Sequence, residues 1–437
     1  MSSPTAALIT LGCKVNQYES EAIAEKLAKY GFRILTPQSK CDVYIINTCT
    51  VTAESERKCR QMIRRAIAQN PDAYIIVCGC LSQTDPESIA AIEGVDYICG
   101  NTQKMSAADK AIELINSGKK NTLPQEEIDD ISSCPFESMS ISHFDRTRAY
   151  VKIEDGCESK CTYCIIPSAR GSIRSKPMED VVAEVTNLTE NGCREVVLTG
   201  IETGSYGKEL GYDLADLLCE LDKIDGIVRI RTGSLDPAIM KKGFVDRLST
   251  VKSLAPHFHL SLQSGSSRIL ALMKRRYNAD MAMSSIEYIR KKIPEAMFTT
   301  DIITGFPGET EEDFALTKEF MSRARFLNAH IFPYSEREGT PAATMPDKVP
   351  VHLRHERTSE LIAFQKGITE AVIDSFISSH SGSIPVLFET YKNGMAYGHT
   401  ASFIEVAVVS DNPLHSDIFE FEPLERNGEL LIGRICK

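Results

Sequence analysis

The segment Gly156-Cys157-Glu158-Ser159-Lys160-Cys161-Thr162-Tyr163-Cys164 carries three thiols separated by three residues and then by two. It follows a short apolar run, Tyr150 to Ile153, and leads into a loop-like stretch from Pro167 to Gly171. Three thiolates on one tight loop can hold three irons of a four-iron, four-sulfur cluster, which leaves the fourth iron open. Electron-carrying clusters are normally closed by four cysteines, so an open iron points to chemistry at the cluster itself. A zinc loop, which would want a fourth ligand, and a plain group of reduced thiols are the bland alternatives.

The loop resembles that of the radical S-adenosylmethionine enzymes, including Tyr163, the aromatic before the third cysteine. The resemblance implies that the open iron is chelated by the amino and carboxylate groups of S-adenosylmethionine.

The elements that must position this loop belong to a chain of 437 residues, enough for two or three domains, and 42% of them are hydrophobic. No charged segment followed by an apolar one occupies Met1 to Leu11, and no apolar run is long enough to cross a bilayer. A soluble, cytoplasmic protein without membrane contact is therefore expected. Its 14 cysteines are then metal ligands and buried thiols rather than a disulfide framework. A net charge of -11 argues against a generic polyanion binder, so any nucleic-acid surface must be a local basic patch.

In the first 118 residues, strands at Ala6 to Leu11, Val43 to Asn47 and Tyr74 to Cys78 alternate with helices at Gln17 to Tyr30, Ala53 to Ala68 and Asp85 to Ile92. This alternation predicts an α/β unit with a flavodoxin-like parallel sheet. Cys13, Cys49 and Cys80 each fall just past one of those strands, where open parallel sheets bind ligands. They could converge as a second three-thiolate site. Cys41, Cys59, Cys78, Cys99 and Cys134 read as inert buried thiols. Cys78 is the rival third ligand, but it should point into the sheet.

Leu11-Gly12-Cys13-Lys14-Val15-Asn16-Gln17, Asn47-Thr48-Cys49-Thr50-Val51-Thr52 and Gly79-Cys80-Leu81-Ser82-Gln83 resemble the N-terminal domain of the methylthiotransferases. That resemblance implies an auxiliary 4Fe-4S cluster on Cys13, Cys49 and Cys80, beside the cluster on Cys157, Cys161 and Cys164. Residues 119–146 are polar, without sustained periodicity, and read as an exposed linker.

Residues 147–370 repeat strand and helix, with strands at Glu195 to Leu198, Ile227 to Arg231, His257 to Leu262, Met297 to Ile303 and Ala329 to Pro333. A partial (β/α) barrel follows, with its chemistry at the strand carboxyl ends. Gly200, Glu202, Ser234 and Gln263 lie just past such strands. By resemblance to the methylthiotransferase barrel they, with Tyr163, line the S-adenosylmethionine pocket.

Residues 371–437 change character, with short strands divided by Asn-Gly and Asn-Pro turns, as in a small β-barrel. Its position resembles the RNA-binding TRAM domain that ends the family. Its acidic residues (Asp374, Glu389, Glu405, Asp411, Asp417, Glu420, Glu422, Glu425, Glu429) outnumber its basic ones (Lys392, Arg426, Arg434, Lys437), a poor balance for gripping phosphates. Other basic candidates are Arg57, Lys58, Arg60, Arg64 and Arg65 on one helix and the run Lys274-Arg275-Arg276. Asn16, Gln17, Arg275 and Lys392 are the candidate substrate contacts.

The resemblance, in three-part order over the whole chain, implies a tRNA-modifying methylthiotransferase. One S-adenosylmethionine is cleaved reductively to a 5′-deoxyadenosyl radical that abstracts hydrogen, a second donates methyl, and the auxiliary cluster carries sulfur. The segment Gly12 to Glu19 looks most like the subgroup that adds methylthio to carbon 2 of N6-threonylcarbamoyladenosine beside the anticodon. Sister subgroups act on isopentenyladenosine in tRNA or on an aspartate of a ribosomal protein, which the acidic end of this chain would attract. The expected partners are tRNA and a reductant protein of flavodoxin or ferredoxin type. No catalytic group beyond the cluster ligands is expected. A non-catalytic iron-sulfur RNA-binding protein is the reading from another class.

Overall fold

A computed structural model of the chain describes residues 3–120, 123–132, 134–144, 147–414 and 417–436. Positions 121, 122, 133, 145 and 146 of the expected linker, and Lys437, lie outside the described residues.

Six parallel strands form the first sheet: β1 (Thr5–Thr10), β2 (Arg33–Ile34), β3 (Val43–Thr48), β4 (Tyr74–Gly79), β5 (Tyr97–Cys99) and β6 (Gln125–Glu127). Their order β2-β1-β3-β4-β5-β6 is the flavodoxin-like arrangement. The helix Lys14–Lys29 starts directly after Cys13, and Thr52 caps the helix Ala53–Gln69 by accepting from Ser55 N at 3.1 Å. The expected helix Asp85 to Ile92 is present as the shorter Pro86–Ala90, and a further short helix, Cys80–Thr84, precedes it, Asp85 and Pro86 restarting the helix between them.

The exposed-linker reading of 119–146 needs correction. The segment contributes β6 to the sheet edge and buries Ile131, Met139 and Ile141. It straps the N-terminal unit to the barrel: Tyr18 Oη donates to Met139 O at 2.8 Å, and Ile141 N donates to Glu184 Oε1 at 2.7 Å. Irregular backbone held by such contacts leaves no periodic signal.

The second unit contains β7 (Ala149–Lys152), β8 (Glu154–Asp155), β9 (Arg174–Ser175), β10 (Glu195–Thr199), β11 (Arg229–Thr232), β12 (His257–Gln263), β13 (Met297–Thr304) and β14 (Asn328–Pro333). Two parallel sheets, β11-β10-β7 and β12-β13-β14, are joined by the bridges Ile230 to Leu254 and Leu235 to Leu260. The result is a partial parallel barrel. The antiparallel pair of β8 and β9 clamps the base of the cysteine loop, with Cys157 N donating to Gly171 O at 3.0 Å.

The barrel ends in the helix Val351–Ser379, which runs through the expected 370/371 boundary. With no proline or glycine to stop it there, the helix continues and packs Val372, Ile373 and Phe376 on the last unit. That unit is a closed barrel of β15 (Ile384–Lys392), β16 (Met395–Thr400), β17 (Glu405–Val409), β18 (Ile418–Asn427) and β19 (Leu430–Ile435). It docks on the larger barrel through Phe403, whose ring stacks on His257 and His399 with centroids 4.6 and 4.5 Å apart and lies under the Arg148 and Arg231 guanidiniums.

Candidate active site between two groups of cysteines

Cys13, Cys49 and Cys80 follow the carboxyl ends of β1, β3 and β4, as expected from their equivalent positions. Gly12, at φ 95°, lets this backbone close up: a Cβ there would lie 2.8 Å from the Cys49 sulfur. Burial pushes the Cys49 thiol up to about 12, and Cys80 and Cys13 add to the rise as electrostatic neighbours. Cys13 is open to solvent but set within a recess; the surrounding protein raises its thiol and Arg170 opposes that rise. The three thiols therefore share one neighbourhood.

Two other cysteines near them have structural roles. Cys59 braces the Cys49 turn, accepting from Cys49 N at 3.3 Å and donating to Cys49 O at 3.4 Å. Cys78 is fully buried with Val43, Ile45 and Tyr97 in the cluster on the other side of the sheet, where it was expected to point. Cys41 and Cys99 are buried as expected, whereas Cys134 is half-buried. Its loop packs only in part against Ile131, whose carbonyl accepts from the thiol at 3.5 Å.

A dry ionic network lies directly beneath this trio. Glu19 and Arg170 are 0% exposed, and Arg170 Nη1 sits 2.7 Å from Glu19 Oε1 and 3.1 Å from Asp155 Oδ2. Lys152 Nζ lies 2.7 Å from each of the same two carboxylates, and Lys104 also pairs with Glu19. Arg170 Nε donates to the Cys80 sulfur at 3.3 Å, and Asp155 Oδ1 accepts from Gly156 N at 2.8 Å. One contiguous set of side chains thus runs from Cys80 to the residue before Cys157.

Burial alone would raise the Glu19 carboxyl, but Arg170, Lys104 and Lys152 hold it well below the usual carboxylate range. Asp155 is likewise held at about 2 by Arg170 and Lys152 against the effect of burial. Asn16 belongs to this network and not to a substrate surface. Its Nδ2 donates to Leu11 O and Thr48 O at 2.7 and 2.9 Å, and its Oδ1 accepts from Arg170 Nη2 at 2.5 Å.

At the second group, Cys161 and Cys164 are electrostatic neighbours, and burial pushes the Cys164 thiol up to about 11. Arg275 is drawn inward: Nη1 donates to the Cys161 sulfur at 3.2 Å, Nη2 to Ser261 O at 3.1 Å, and Nε to Tyr277 Oη at 3.1 Å. Its expected role as a substrate contact is therefore replaced by one at the cysteine loop. Tyr163 packs edge-on against Phe306 with centroids 6.5 Å apart.

Glu202 accepts from the Cys157 thiol at 3.1 Å and pairs with Arg276. Burial and the Glu202 carboxylate together push that thiol up. The Lys274-Arg275-Arg276 run is thus mostly committed to the site, Lys274 being exposed and without an ion pair among the described residues.

Gly200 stands where a Cβ would lie 2.6 Å from Glu154 Oε2, and the buried Glu154 Oε1 has no hydrogen-bond partner among the described residues. Ser234 is exposed, two residues before Asp236, which pairs with Arg275 at 3.0 Å. Gln263 is buried in the left-handed region at φ 69°, at a register shift between β12 and β13. The loops after β10, β11 and β12 therefore meet the cysteine loop through Arg275 and Arg276. Lys392 is exposed on the far barrel, and Gln17 is half-buried on the helix after Cys13.

Among the described residues, no three His, Cys, Asp or Glu side chains are disposed to hold a single metal ion. A four-iron cluster makes a different demand, because each thiolate binds its own iron. The three loop thiols, with the partnerless Glu154 oxygen beside the closely packed Gly200, suit a cluster with S-adenosylmethionine on its open iron. The Cys13, Cys49 and Cys80 trio, with a cation against one sulfur, suits a second cluster.

The comparisons with known proteins follow this geometry. Residues 151–321 match the Radical SAM superfamily, and residues 5–100 match the uncharacterized protein family UPF0004. The chain is 39% identical to the threonylcarbamoyladenosine tRNA methylthiotransferase MtaB of Bacillus subtilis, over 92% of this chain and 90% of that one. It belongs to the radical S-adenosylmethionine methylthiotransferase family.

This methylthiotransferase is also 35% identical to the MtaB of Chlamydia pneumoniae, over 99% of this chain and 98% of that one. It is 37% identical to the tRNA-2-methylthio-N(6)-dimethylallyladenosine synthase of Acetivibrio thermocellus, over 85% and 78%. In fold it is similar to the radical S-adenosylmethionine methyltransferase TsrM from Kitasatospora setae, at TM-score 0.58 and 16% identity, covering 78% of this chain and 77% of that one. Among the described residues no helix is long and apolar enough to cross a membrane.

Three features of the methylthiotransferase site were not foreseen: Arg170, its partner Glu19, and Lys14. Lys14 and Glu19 stood in the segment Gly12 to Glu19 that carried the subgroup resemblance, but neither was given a role of its own. Lys14 is open to solvent with no hydrogen bond or ion pair among the described residues, and Arg148, Arg231 and Asp301 are its charged neighbours besides Cys13.

Proposed function

We propose that this methylthiotransferase adds a methylthio group to carbon 2 of N6-threonylcarbamoyladenosine beside the anticodon of tRNA. Overall identity does not separate the substrates, since relatives named for threonylcarbamoyladenosine and for dimethylallyladenosine stand at 39% and 37%. The observation that carries the reading is Lys14. It is an accessible ammonium next to Cys13, with Arg148, Arg231 and Asp301 as charged neighbours; the two guanidiniums are themselves paired with Glu195 and Glu389. A threonylcarbamoyl group ends in a carboxylate, which the Lys14 ammonium, unpaired among the described residues, attracts; an isopentenyl group is apolar and gains nothing from it.

When bound, the two clusters and S-adenosylmethionine supply the electron, the hydrogen-abstracting radical, the methyl group and the sulfur. The chain's own residues do the positioning. Arg275 fixes the Cys161 side of the loop, Gly200 lets the backbone close on Glu154, and Cys49 and Cys80, 5% and 4% exposed, are kept from water while Cys13 is open to it. The partners in this reading are tRNA and a reductant protein of flavodoxin or ferredoxin type, in the cytoplasm.

The small barrel gives little to phosphate binding. Arg426 is paired with Asp374 and Arg434 with Glu422, leaving Lys392 as its only unpaired lysine or arginine among the described residues. Base and shape contacts suit it better than a phosphate clamp.

The test offers the reconstituted protein two anticodon stem-loops, one with threonylcarbamoyladenosine and one with isopentenyladenosine. The expected result is a methylthio mass gain on the first alone; a gain on the second alone would assign the other substrate.

A further inference from the structure

Arg170 is fully buried and has a donor to spare. Its Nη1 and Nη2 are used by Glu19, Asp155 and Asn16, while Nε is directed to the Cys80 sulfur at 3.3 Å. A cation needed only to neutralise Glu19 and Asp155 would not require a donor on that sulfur, and Lys152 and Lys104 already serve those carboxylates. A lysine at 170, with one head group, would not span the carboxylates and the sulfur as the planar fork does.

We infer that Arg170 is a positioning residue that sets the reduction potential of the cluster held by Cys13, Cys49 and Cys80, and that Glu19 acts against it. The inference rests on the reading that those thiols hold an iron-sulfur cluster. The physical argument has two parts. A hydrogen bond to a ligand sulfur favours the reduced, more negative cluster, as does nearby positive charge.

The surroundings also strengthen both effects. Arg170, Lys104, Lys152 and Arg174 are ion-paired with two carboxylates, Glu19 and Asp155, among the described residues, none of the six more than 8% exposed, with Glu137 a further acidic neighbour of Lys152. Water and salt screen little there, so each charge acts at nearly full strength on the sulfur side. Asp155 also accepts from Gly156 N beside Cys157, so the network touches both cysteine groups.

The experiment uses the full chain with Cys157, Cys161 and Cys164 replaced by alanine, so that only the other cluster is reconstituted. Iron and sulfide per chain are measured, and the potential is read by dithionite titration with electron paramagnetic resonance. Arg170→Gln is expected to make one-electron reduction about tenfold less favourable, a shift of about 59 mV to the negative. Glu19→Gln is expected to shift it to the positive, and Arg170→Lys to fall between Arg170→Gln and the parent.

If Arg170→Gln assembles no cluster, Glu19→Gln decides, because it leaves Arg170 and Cys80 in place. Unchanged potentials at full iron content, or shifts of the same sign in Arg170→Gln and Glu19→Gln, would overturn the inference. A parent without iron would overturn the cluster reading beneath it; a parent with a cluster but unshifted variants would overturn only the tuning.

Discussion

Arg275 donates through Nη1 to the sulfur of Cys161 at 3.2 Å, while its Nη2 is held by Asp236 at 3.0 Å. The loops at the carboxyl ends of the barrel strands are thereby tied to the middle cysteine of the loop. Replacement of Arg275 by Gln is expected to lower reductive cleavage of S-adenosylmethionine by about 10- to 100-fold, the range for loss of an outer partner of a metal ligand. Lys392→Ala, on the distant barrel, is expected to leave cleavage unchanged. Formation of 5′-deoxyadenosine without tRNA present checks both.

Cys59 and Cys49 lie side by side, yet their expected roles differ. Cys59 is fully buried and bonded to the Cys49 backbone, so Cys59→Ala is expected to keep the iron content and cost about 1–2 kcal/mol of stability. Cys49→Ala is expected to lose one cluster. Iron analysis and denaturant unfolding of the two variants separate a brace from a ligand.

The Glu19 and Asp155 network gives the junction an acid limit. Both carboxyls are held below their ordinary range in the folded chain, Asp155 at about 2. Their contribution is present above the unfolded carboxylate value, about 4, and is lost as pH falls from there toward the folded values. The contribution of this pair to thermal unfolding of the iron-free chain is expected to fall steeply below about pH 4. Glu19→Gln is expected to lower the midpoint at neutral pH, since three cations lose a buried partner, and to flatten the acid slope.

Much of the architecture was legible because it is periodic. The strands ending before Cys13, Cys49 and Cys80 and the barrel strands from β10 to β14 stand within a few residues of their expected places. What was not legible depends on partners distant in sequence. Arg170 takes its meaning from positions 16, 19, 80 and 155, none of which its own neighbourhood announces.

Asn16 and Arg275 looked like polar residues free to meet a substrate, but buried polar groups must be satisfied, and the fold uses both internally. The helix Val351–Ser379 crossed an expected boundary for a similar reason, since its last turns are held by the barrel that follows.

Lys14 offers the most specific test of substrate choice. The wild type is expected to bind a stem-loop carrying threonylcarbamoyladenosine more tightly than one with unmodified adenosine, and Lys14→Gln to lose most of that preference, about tenfold for one charge-assisted contact. Binding isotherms with iron-replete protein check it, and an unchanged preference would remove Lys14 from recognition.

The central claim is tested most directly by nucleoside mass spectrometry of tRNA from cells with and without this chain. The account expects the 2-methylthio form of N6-threonylcarbamoyladenosine to vanish on deletion while its precursor persists, and to return with the wild type but not with Cys161→Ala. An unchanged nucleoside profile on deletion would contradict it.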